Sequence, residues 1–276
     1  MRTIAHLSDL HFGRVDPEVL EALVADLVTV APSLVVISGD LVQRARRRHF
    51  RAARAFLERL PASWLVVPGN HDIPAYNLLA RFTMPFRNYR HYITADLNPF
   101  VCDDEIAVLG INTARPLIFN FAHGRISRQQ IASIEAVFGS VAPSVFKVLV
   151  THHPFLPPPD KPGGKVLLGR ARLALPALEA CGVDLLLAGH FHRGYAGDLT
   201  EHHSHLDRSI LVAHAATATS TRLRDEPNGY NLITVAPPVV TFEERVWTGQ
   251  RFAGSERSAY SRTPWGWQAV AGAVGF

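Results

Sequence analysis

Residues 34–40 read LVVISGD, a short run of apolar and mostly β-branched residues that leads into a Gly-Asp pair. Such a run predicts a buried strand, and the glycine permits a tight turn directly after it. The same arrangement recurs on either side along the chain. Thr3–Leu7 leads into Asp9-Leu10-His11, and Trp64–Val67 leads into Gly69-Asn70-His71-Asp72. Each of these predicted strands therefore carries polar side chains at its carboxyl end.

Two segments with helical periodicity separate the three strands. Pro17–Val30 has apolar residues at helical spacing and a proline in its first turn, and Arg46–Leu60 repeats the pattern. Alternation of strands and helices predicts an α/β fold whose central sheet is largely parallel, with right-handed crossovers.

The alternation continues downstream and then changes. The next predicted elements are a strand at Ile106–Ile111, a helix opened by a capping box of Ser127 and Gln130, a strand at Phe146–Val150, a helix at Arg170–Ala180 and a strand at Asp184–Ala188. After these come three strand-like segments with no helix between them, Ser209–Ala213, Tyr230–Val235 and Val239–Trp247. We expect these last segments to form antiparallel strands in a second sheet.

The composition is that of a globular protein. The chain has 276 residues, 47% hydrophobic and 19% charged, which suits one large domain or two small ones and excludes a disordered, collagen-like or coiled-coil chain. No apolar run approaches the roughly 20 residues that span a bilayer, and charged residues interrupt the N-terminus where an export signal needs an apolar stretch. Two distant cysteines, Cys102 and Cys181, frame no disulfide scaffold. These features predict a cytoplasmic protein with no membrane span.

The positive charge comes almost entirely from arginine. The formal net charge is +4, and lysine occurs only at Lys147, Lys161 and Lys165. One interpretation is the amino-acid bias of a GC-rich genome. The other is a preference for substrates that carry phosphate, which the guanidinium group binds well.

Five polar clusters each follow a predicted strand. They are Asp9-Leu10-His11, Gly39-Asp40, Gly69-Asn70-His71-Asp72, His152-His153 and Gly189-His190-Phe191-His192. Loops that leave the carboxyl ends of parallel strands converge on one crevice, so residues far apart in sequence meet there. The clusters contain Asp, Asn and His, which are ligands for hard to borderline metal ions. Each motif is weak alone, but the ordered set predicts a metal site.

These blocks resemble those of the calcineurin-like metallophosphoesterase superfamily. The stretch from Ile4 to Gly13 and the stretch from Gly39 to Arg44 are most similar to the bacterial class III cyclic-nucleotide phosphodiesterases. The resemblance implies a four-layer α/β/β/α sandwich with mixed sheets. We expect a catalytic domain at residues 1–248 and a C-terminal tail at residues 249–276 that packs on the body or on a second subunit, which leaves a homodimer open.

The resemblance also implies a ligand set for two metal ions. Asp9, His11 and His192 would hold one ion, Asn70, His152 and His190 the other, and Asp40 would bridge them. A mixed Asp, Asn and His set favours iron, manganese or both, and zinc stays open. A hydroxide bridging the two ions would attack the phosphorus atom.

Further residues receive roles by the same resemblance. His71 would stabilise the transition state or protonate the leaving oxygen, and Asp72 would orient His71 through a ring nitrogen. Asn70, His123 and Arg44 are expected at the substrate. Among the remaining histidines, we read His153 as structural or supporting, His6 as part of the core, and the cluster His202, His203 and His205 as a solvated loop.

The sequence departs from the resemblance after Asp40. Many cyclic-nucleotide phosphodiesterases carry a glycine and acidic residues there, whereas this chain has Arg44, Arg46, Arg47 and Arg48 followed by His49. The run is either a solvated basic helix face or a rim that attracts a polyanionic substrate. The departure leaves the predicted metal ligands intact, but it puts the identity of the substrate in question.

Three functions compete at this point. The first is a dinuclear metal-dependent phosphodiesterase that hydrolyses small phosphodiesters, with 3′,5′-cyclic nucleotides as the first candidate. The second is a metal-dependent nuclease or another phosphoesterase or pyrophosphatase of the superfamily, although the arginine run lacks the interleaved aromatic residues typical of single-strand binding. The third is a metal-free binding scaffold, which all seven filled ligand positions disfavour.

Overall fold

The computed structural model of the chain describes residues 1–116, 122–157, 166–201, 206–223, 226–264 and 266–270. Two β-sheets lie face to face, and a third has only two strands. The strands are β1 (Arg2–Leu7), β2 (Leu34–Ile37), β3 (Trp64–Val66), β4 (Phe100–Cys102), β5 (Ile106–Ile111), β6 (Gly124–Arg125), β7 (Phe146–Thr151), β8 (Leu168–Gly169), β9 (Leu185–Ala188), β10 (Tyr195–Asp198), β11 (Leu211–His214), β12 (Gly229–Ala236), β13 (Val239–Trp247), β14 (Phe252–Thr263) and β15 (Gly266–Ala269).

Helices cover the outer faces of the two large sheets, and two short helices lie in the connection between β3 and β4. They are α1 (Pro17–Val30), α2 (Arg47–Leu57), α3 (Leu78–Thr83), α4 (Arg87–Tyr92), α5 (Arg128–Gly139) and α6 (Ala171–Ala180). Helix α1 begins where predicted, because the Asp16 carboxylate accepts hydrogen bonds from the backbone N–H groups of Glu18 and Val19. The capping box of Ser127 and Gln130 is confirmed at the start of α5. Helix α2 ends at Leu57 rather than at Leu60.

Three apolar clusters define four layers. Between the sheets, residues such as Val36 of β2 and Val148 of β7 share one core. On the outer face of the first sheet, Ile37 packs with Leu23 of α1 and with α2, and on the outer face of the second sheet Leu149 packs with α5 and α6. The predicted α/β/β/α sandwich with mixed sheets is therefore confirmed.

The assignment of strands to sheets differs from the expectation. The first sheet has the order β15-β14-β13-β12-β1-β2-β3, and the second has the order β10-β11-β9-β7-β5-β4. The trailing strands β12 and β13 thus extend the first sheet, because β12 pairs antiparallel with β1. The second sheet is instead built on the parallel strands β5, β7, β9 and β11. Sequence periodicity identified these strands but carried no information about which sheet each one joins.

The segment after residue 248 continues the first sheet. Strand β14 pairs antiparallel with β13 and β15 pairs with β14, so the expected boundary at residues 248 and 249 falls within a hairpin. The side chain of Trp267 is buried against Phe146 of the second sheet. Residues 271–276 lie outside the described residues. No helix in the described ranges has the length and apolar character needed to cross a membrane.

Candidate dinuclear metal centre

The two large sheets bring the carboxyl ends of their parallel strands to one place. The seven predicted ligands follow β1 (Asp9, His11), β2 (Asp40), β3 (Asn70), β7 (His152) and β9 (His190, His192). Backbone hydrogen bonds tie these loops together in pairs. The Asp9 N–H donates to the Gly39 carbonyl at 3.1 Å, and the Gly189 N–H donates to the His152 carbonyl at 3.1 Å. The ligand positions are therefore fixed by the sheets rather than by free loops.

A first group of three side chains meets on the β1 side. The His192 Nε2 atom lies 3.1 Å from Asp9 Oδ1, and the His11 Nε2 atom lies 3.5 Å from the same oxygen. The two Nε2 atoms of His11 and His192 are 3.2 Å apart. All three side chains are buried. This trio can hold one metal ion, as the sequence predicts.

A second group of three side chains meets beside the first. The His152 Nε2 atom lies 3.0 Å from Asn70 Oδ1 and 3.2 Å from His190 Nδ1. Asp40 lies between the groups, with Oδ1 at 3.5 Å from His152 Nε2 and Oδ2 at 3.9 Å from His11 Nε2. Its two carboxylate oxygens thus face different groups, which is the arrangement that a bridging ligand requires.

The backbone at these ligands is unusual. Five of the seven predicted ligands have a positive φ angle, at 52° for Asp9, 51° for His11, 51° for Asp40, 75° for His190 and 59° for His192. Non-glycine residues occupy this left-handed region rarely, at a cost of about 1–3 kcal/mol each, and such residues concentrate at functional sites. The unfavourable backbone conformation of these five residues directs their side chains toward one point.

Two glycines allow the loops to approach this closely. A Cβ atom on Gly69 would lie 2.1 Å from Asp40 Oδ1, and one on Gly189 would lie 1.7 Å from the Ser8 hydroxyl oxygen. Any larger residue at either position would displace the Asp40 or Asp9 loop, because the obstructing atoms belong to buried groups.

The electrostatics of the cluster keeps its carboxylates ionised and shifts its histidines in opposite directions. Burial lowers the pKa of His11, whereas for His192 the nearby Asp9 outweighs burial and raises the pKa. Burial would raise the pKa of Asp9, but His192 and then His11, whose Nε2 atoms face Asp9 Oδ1, hold this pKa well below its usual range. Burial would likewise raise the pKa of Asp40, and the neighbouring histidines, His152 first, lower it instead. Burial and then His152 lower the pKa of His190 to about 3. Ionised carboxylates and unprotonated imidazoles are the forms that bind cations.

His71 lies at the edge of the cluster and is oriented differently from the expectation. Its Nδ1 atom is 2.9 Å from the Gln43 carbonyl oxygen, and its Nε2 atom is 3.9 Å from Asp40 Oδ2. The expectation that Asp72 orients His71 is wrong, because the Asp72 carboxylate accepts hydrogen bonds from backbone N–H groups of residues 41, 42 and 69. Burial and the neighbouring Asp40 raise the pKa of Asp72 well above its ordinary value. Asp72 thus braces the two ligand loops, and Gln43 orients His71.

The His123-Gly124 pair lies behind the second ligand group. A Cβ on Gly124 would lie 2.3 Å from His153 Nδ1, so this backbone packs directly on the His153 ring. His153 is buried, with Nδ1 at 2.8 Å from the Thr113 hydroxyl and its ring centroid 4.9 Å from that of His190. Burial, then His190 and His152, lower the pKa of His153, and His123 is near enough to act in the same direction. No direct contact of His123 with a predicted ligand is seen in the described part of the chain.

Arg44 lies farther from the ligand cluster than two residues that the sequence analysis did not predict, Gln43 and Arg222. The Arg44 guanidinium lies over the Tyr76 ring, 5.0 Å from its centroid. The Arg222 Nη1 atom is 3.4 Å from His71 Nε2 and 3.4 Å from Gln43 Oε1. Gln43 lies three positions after Asp40 and could have been considered with that motif. Arg222 lies in the loop between β11 and β12, outside every motif, and no pattern marks it.

His6 is buried in the core, as expected, with Nε2 at 2.9 Å from the Ser38 hydroxyl. The cluster of His202, His203 and His205 lies outside the described residues.

The side chains present fit two divalent or trivalent cations. Imidazole nitrogens 3.2 Å apart and carboxylate oxygens converge on two adjacent points. Asp9 Oδ1 is a buried oxygen for which the described part of the chain supplies no hydrogen bond of good geometry. Buried acceptors that face one another repel unless a cation lies among them. The fold and this site define a dinuclear metallohydrolase with the architecture of the phosphoesterases.

Comparison with known proteins agrees with this class. The profile of the calcineurin-like phosphoesterase family matches residues 2–194, and the chain belongs to this family. The prediction of a hydrolase of phosphoric esters is thereby confirmed. A glycerophosphodiester phosphodiesterase of Enterobacter lignolyticus is 28% identical over 168 residues, which are 56% of this chain and 57% of that relative. The matched part is thus little more than half of the relative's length.

Two solved structures share the fold at low sequence identity. A dimetal phosphatase from Danio rerio superposes with a TM-score of 0.65 at 12% identity, covering 92% of this chain and 98% of that one. A purple acid phosphatase from yellow lupin (Lupinus luteus) seeds superposes with a TM-score of 0.71 at 12% identity, covering 95% of this chain and 54% of that one. These likenesses support the fold.

Proposed function

We propose that the protein is a dinuclear metal-dependent phosphodiesterase that hydrolyses small phosphodiesters. The observation that carries this proposal is the meeting of seven Asp, Asn and His side chains in two groups, with the two oxygens of Asp40 directed to different groups. The similarity to a glycerophosphodiester phosphodiesterase supports a diester rather than a monoester as substrate.

The proposed metal ligands are the seven residues that the sequence indicates. Asp9, His11 and His192 would hold one ion, Asn70, His152 and His190 the other, and Asp40 both. When bound, the two cations would stabilise negative charge on the phosphoryl oxygens and make water more acidic. Iron, manganese or both suit this mixed oxygen and nitrogen set, and zinc is the alternative.

His71 is proposed as the residue that protonates the leaving oxygen. The Gln43 carbonyl accepts a hydrogen bond from Nδ1, which fixes the ring and leaves Nε2 facing the Asp40 side of the cluster. The protonated ring would donate from Nε2 to the leaving oxygen and return to the neutral form. Arg222, at 3.4 Å from the same nitrogen, would contact phosphoryl oxygens beside it.

The remaining roles concern substrate contact and compartment. Asn70 lies at the ligand cluster and can also reach a phosphoryl oxygen, whereas His123 and Arg44 are proposed at greater distance from it. Cyclic nucleotides and glycerophosphodiesters are both small diesters that this site could accept. The free thiols of Cys102 and Cys181 are compatible with the proposed reducing cytoplasm.

A substrate panel on the metal-loaded protein tests the proposal. The panel contains bis-p-nitrophenyl phosphate, 3′,5′-cyclic AMP, glycerophosphocholine, p-nitrophenyl phosphate and single-stranded DNA, each with iron, manganese or zinc. We expect metal-dependent turnover of the small diesters to exceed that of the monoester and the DNA. Preferential turnover of p-nitrophenyl phosphate would contradict a diesterase, and preferential cleavage of DNA would favour a nuclease.

A further inference from the structure

A cationic cleft opens beside the candidate metal centre. Its volume is about 400 Å³, within the range of small-molecule sites. Its side walls come from the loop after His11 and from the segment that follows Asp40. We call it the arginine cleft, and the cationic side chains that line it are Arg14, Arg44, Arg46, Arg48 and Arg222.

The arginine cleft has no carboxylate partner for its charge among the residues that the structure describes. Within the described ranges, no acidic residue lines it and none of its five guanidinium groups forms an ion pair. By contrast, Arg59 on the same side of the fold pairs with Glu21, and Arg245 pairs with Asp26. Five like charges around one cleft repel one another, so a bound anion would stabilise the arrangement.

His49 organises the floor of this cleft. Its Nδ1 atom is 3.0 Å from the Arg44 carbonyl oxygen, and its Nε2 atom accepts a hydrogen bond from Arg48 Nε at 3.3 Å. The ring is largely buried and packs under Gly13, where a Cβ would lie 2.5 Å from it. Both ring nitrogens are therefore engaged in holding the arginine segment in place, and the cleft is more than a solvated helix face.

The arginine cleft and the metal centre share a wall. Arg222 and Gln43 line the cleft, and both contact the His71 ring, at 3.4 Å and 3.3 Å. The Arg222 carbonyl oxygen lies 3.1 Å from Nδ1 of the predicted ligand His192. A substrate whose scissile phosphate lies at the metal centre can therefore reach the cleft past the side chains of Gln43 and Arg222.

We infer that the arginine cleft binds a second phosphate group of the substrate, so that the enzyme prefers phosphodiesters that carry an additional phosphate. The inference rests on the proposed diesterase function and adds the substrate class. Guanidinium forks match the oxygens of a phosphate in pairs, and several converging arginines suit a dianion better than a neutral alcohol. The scissile diester needs the metal centre, whereas the second phosphate needs only charge and hydrogen-bond donors.

Two matched nucleotide pairs test the inference. The substrates are thymidine 5′-(p-nitrophenyl phosphate) and the same compound with a 3′-phosphate, and the binding probes are thymidine 5′-monophosphate and thymidine 3′,5′-bisphosphate. We expect the 3′-phosphate to raise kcat/KM and to tighten binding measured by calorimetry. Replacing two arginines, as R46Q/R48Q, should reduce both preferences by at least about 10-fold, because the loss of even one charged hydrogen bond to the second phosphate costs about that factor.

The matched control removes the same charge outside the cleft. Arg47 and Arg51 lie on α2, close in sequence to Arg46 and Arg48, but they do not line the cleft. The variant R47Q/R51Q should therefore retain both preferences. Equal kcat/KM and equal affinity for the paired compounds in the parent protein would overturn the inference. An equal loss of preference in the two double variants would also overturn it, since general charge would then explain the effect.

The two proposals fail separately in this design. If the metal-loaded protein hydrolyses neither diester, the diesterase function is wrong, and the calorimetric comparison still decides whether the cleft binds a second phosphate. If it hydrolyses both equally, the diesterase stands and the inference fails. A parent protein that ignores the 3′-phosphate but binds oligothymidylate, with affinity lost only in R46Q/R48Q, would replace the inference by a nucleic-acid groove.

Discussion

The metal centre and the arginine cleft share the wall formed by Gln43 and Arg222, yet they are built in opposite ways. The predicted ligands are mostly buried, and five of them have backbone in the left-handed region. Among the cleft arginines, Arg14, Arg44, Arg46 and Arg48 are exposed. This difference in burial and backbone strain matches the different functions proposed for the two regions. Metal coordination needs donor atoms fixed within tenths of an ångström, whereas recognition of a charged group tolerates long side chains that adjust.

The largest effect is expected from Asp40, since its two oxygens face both ligand groups. The variant D40A should lose both metal ions and all measurable diesterase activity, whereas N70A should lose more of one ion than of the other. Metal content per chain, measured by inductively coupled plasma mass spectrometry, distinguishes the two variants. Equal metal content in D40A and N70A would count against a bridging role for Asp40.

The next effect concerns His71, which lies between the two regions. The variant H71Q should retain both metals and lose about 10²–10⁴ in kcat, the usual contribution of a general acid. The loss should be smaller for bis-p-nitrophenyl phosphate than for glycerophosphocholine, because p-nitrophenolate leaves without a proton. An equal loss on both diesters would exclude protonation of the leaving group by His71.

A smaller effect is expected from Arg222, which belongs to the cleft but contacts His71. The variant R222Q should lower kcat/KM for bis-p-nitrophenyl phosphate by about 10-fold, because one charged hydrogen bond to the phosphoryl oxygens is lost. R222K is the matched control and should recover part of the loss. Metal content should stay at the parent level in both variants, and a fall in metal content would show that Arg222 acts through the ligand His192 instead.

The smallest effect is a shift in the titration of His49. Burial and then the charges of Arg48, Arg46 and Arg44 lower the pKa of His49. Because the folded pKa lies below the unfolded value of about 6.5, the stability that His49 contributes is complete above that pH and is lost as the pH falls toward the folded pKa. In R46Q/R48Q the His49 pKa, followed by NMR, should rise. An unchanged pKa would mean that these arginines do not act on His49 electrostatically.

Much of the metal centre was predictable because its requirements are local. Each ligand directly follows an apolar run, and glycines such as Gly39 and Gly189 mark the turns where loops approach closely. The alternation of strands and helices followed from periodicity, and the four layers followed from the family resemblance. The joining of β12 to β1 followed from neither, because antiparallel pairing over more than 200 residues leaves no local signal. The orientation of His71 by a backbone carbonyl of Gln43 was equally hidden, since any residue type supplies that oxygen.

The arginine cleft shows where sequence reasoning stops. The run from Arg44 to Arg48 is visible in the chain, and its two interpretations could not be separated there. What favours a phosphate site is the addition of Arg14 and Arg222 from distant loops. Thr221 N–H donates to the Arg14 carbonyl at 2.8 Å, a long-range contact that no motif encodes.

The central claim is that two metal ions held by these side chains carry out phosphodiester hydrolysis, and a metal titration tests it most directly. The purified protein would be stripped with a chelator and titrated with Mn²⁺, while bound metal and turnover of bis-p-nitrophenyl phosphate are followed together. We predict two equivalents bound per chain and activity that rises with their occupancy. Full activity in the metal-free protein, or saturation of activity at one equivalent with no second site, would contradict the account.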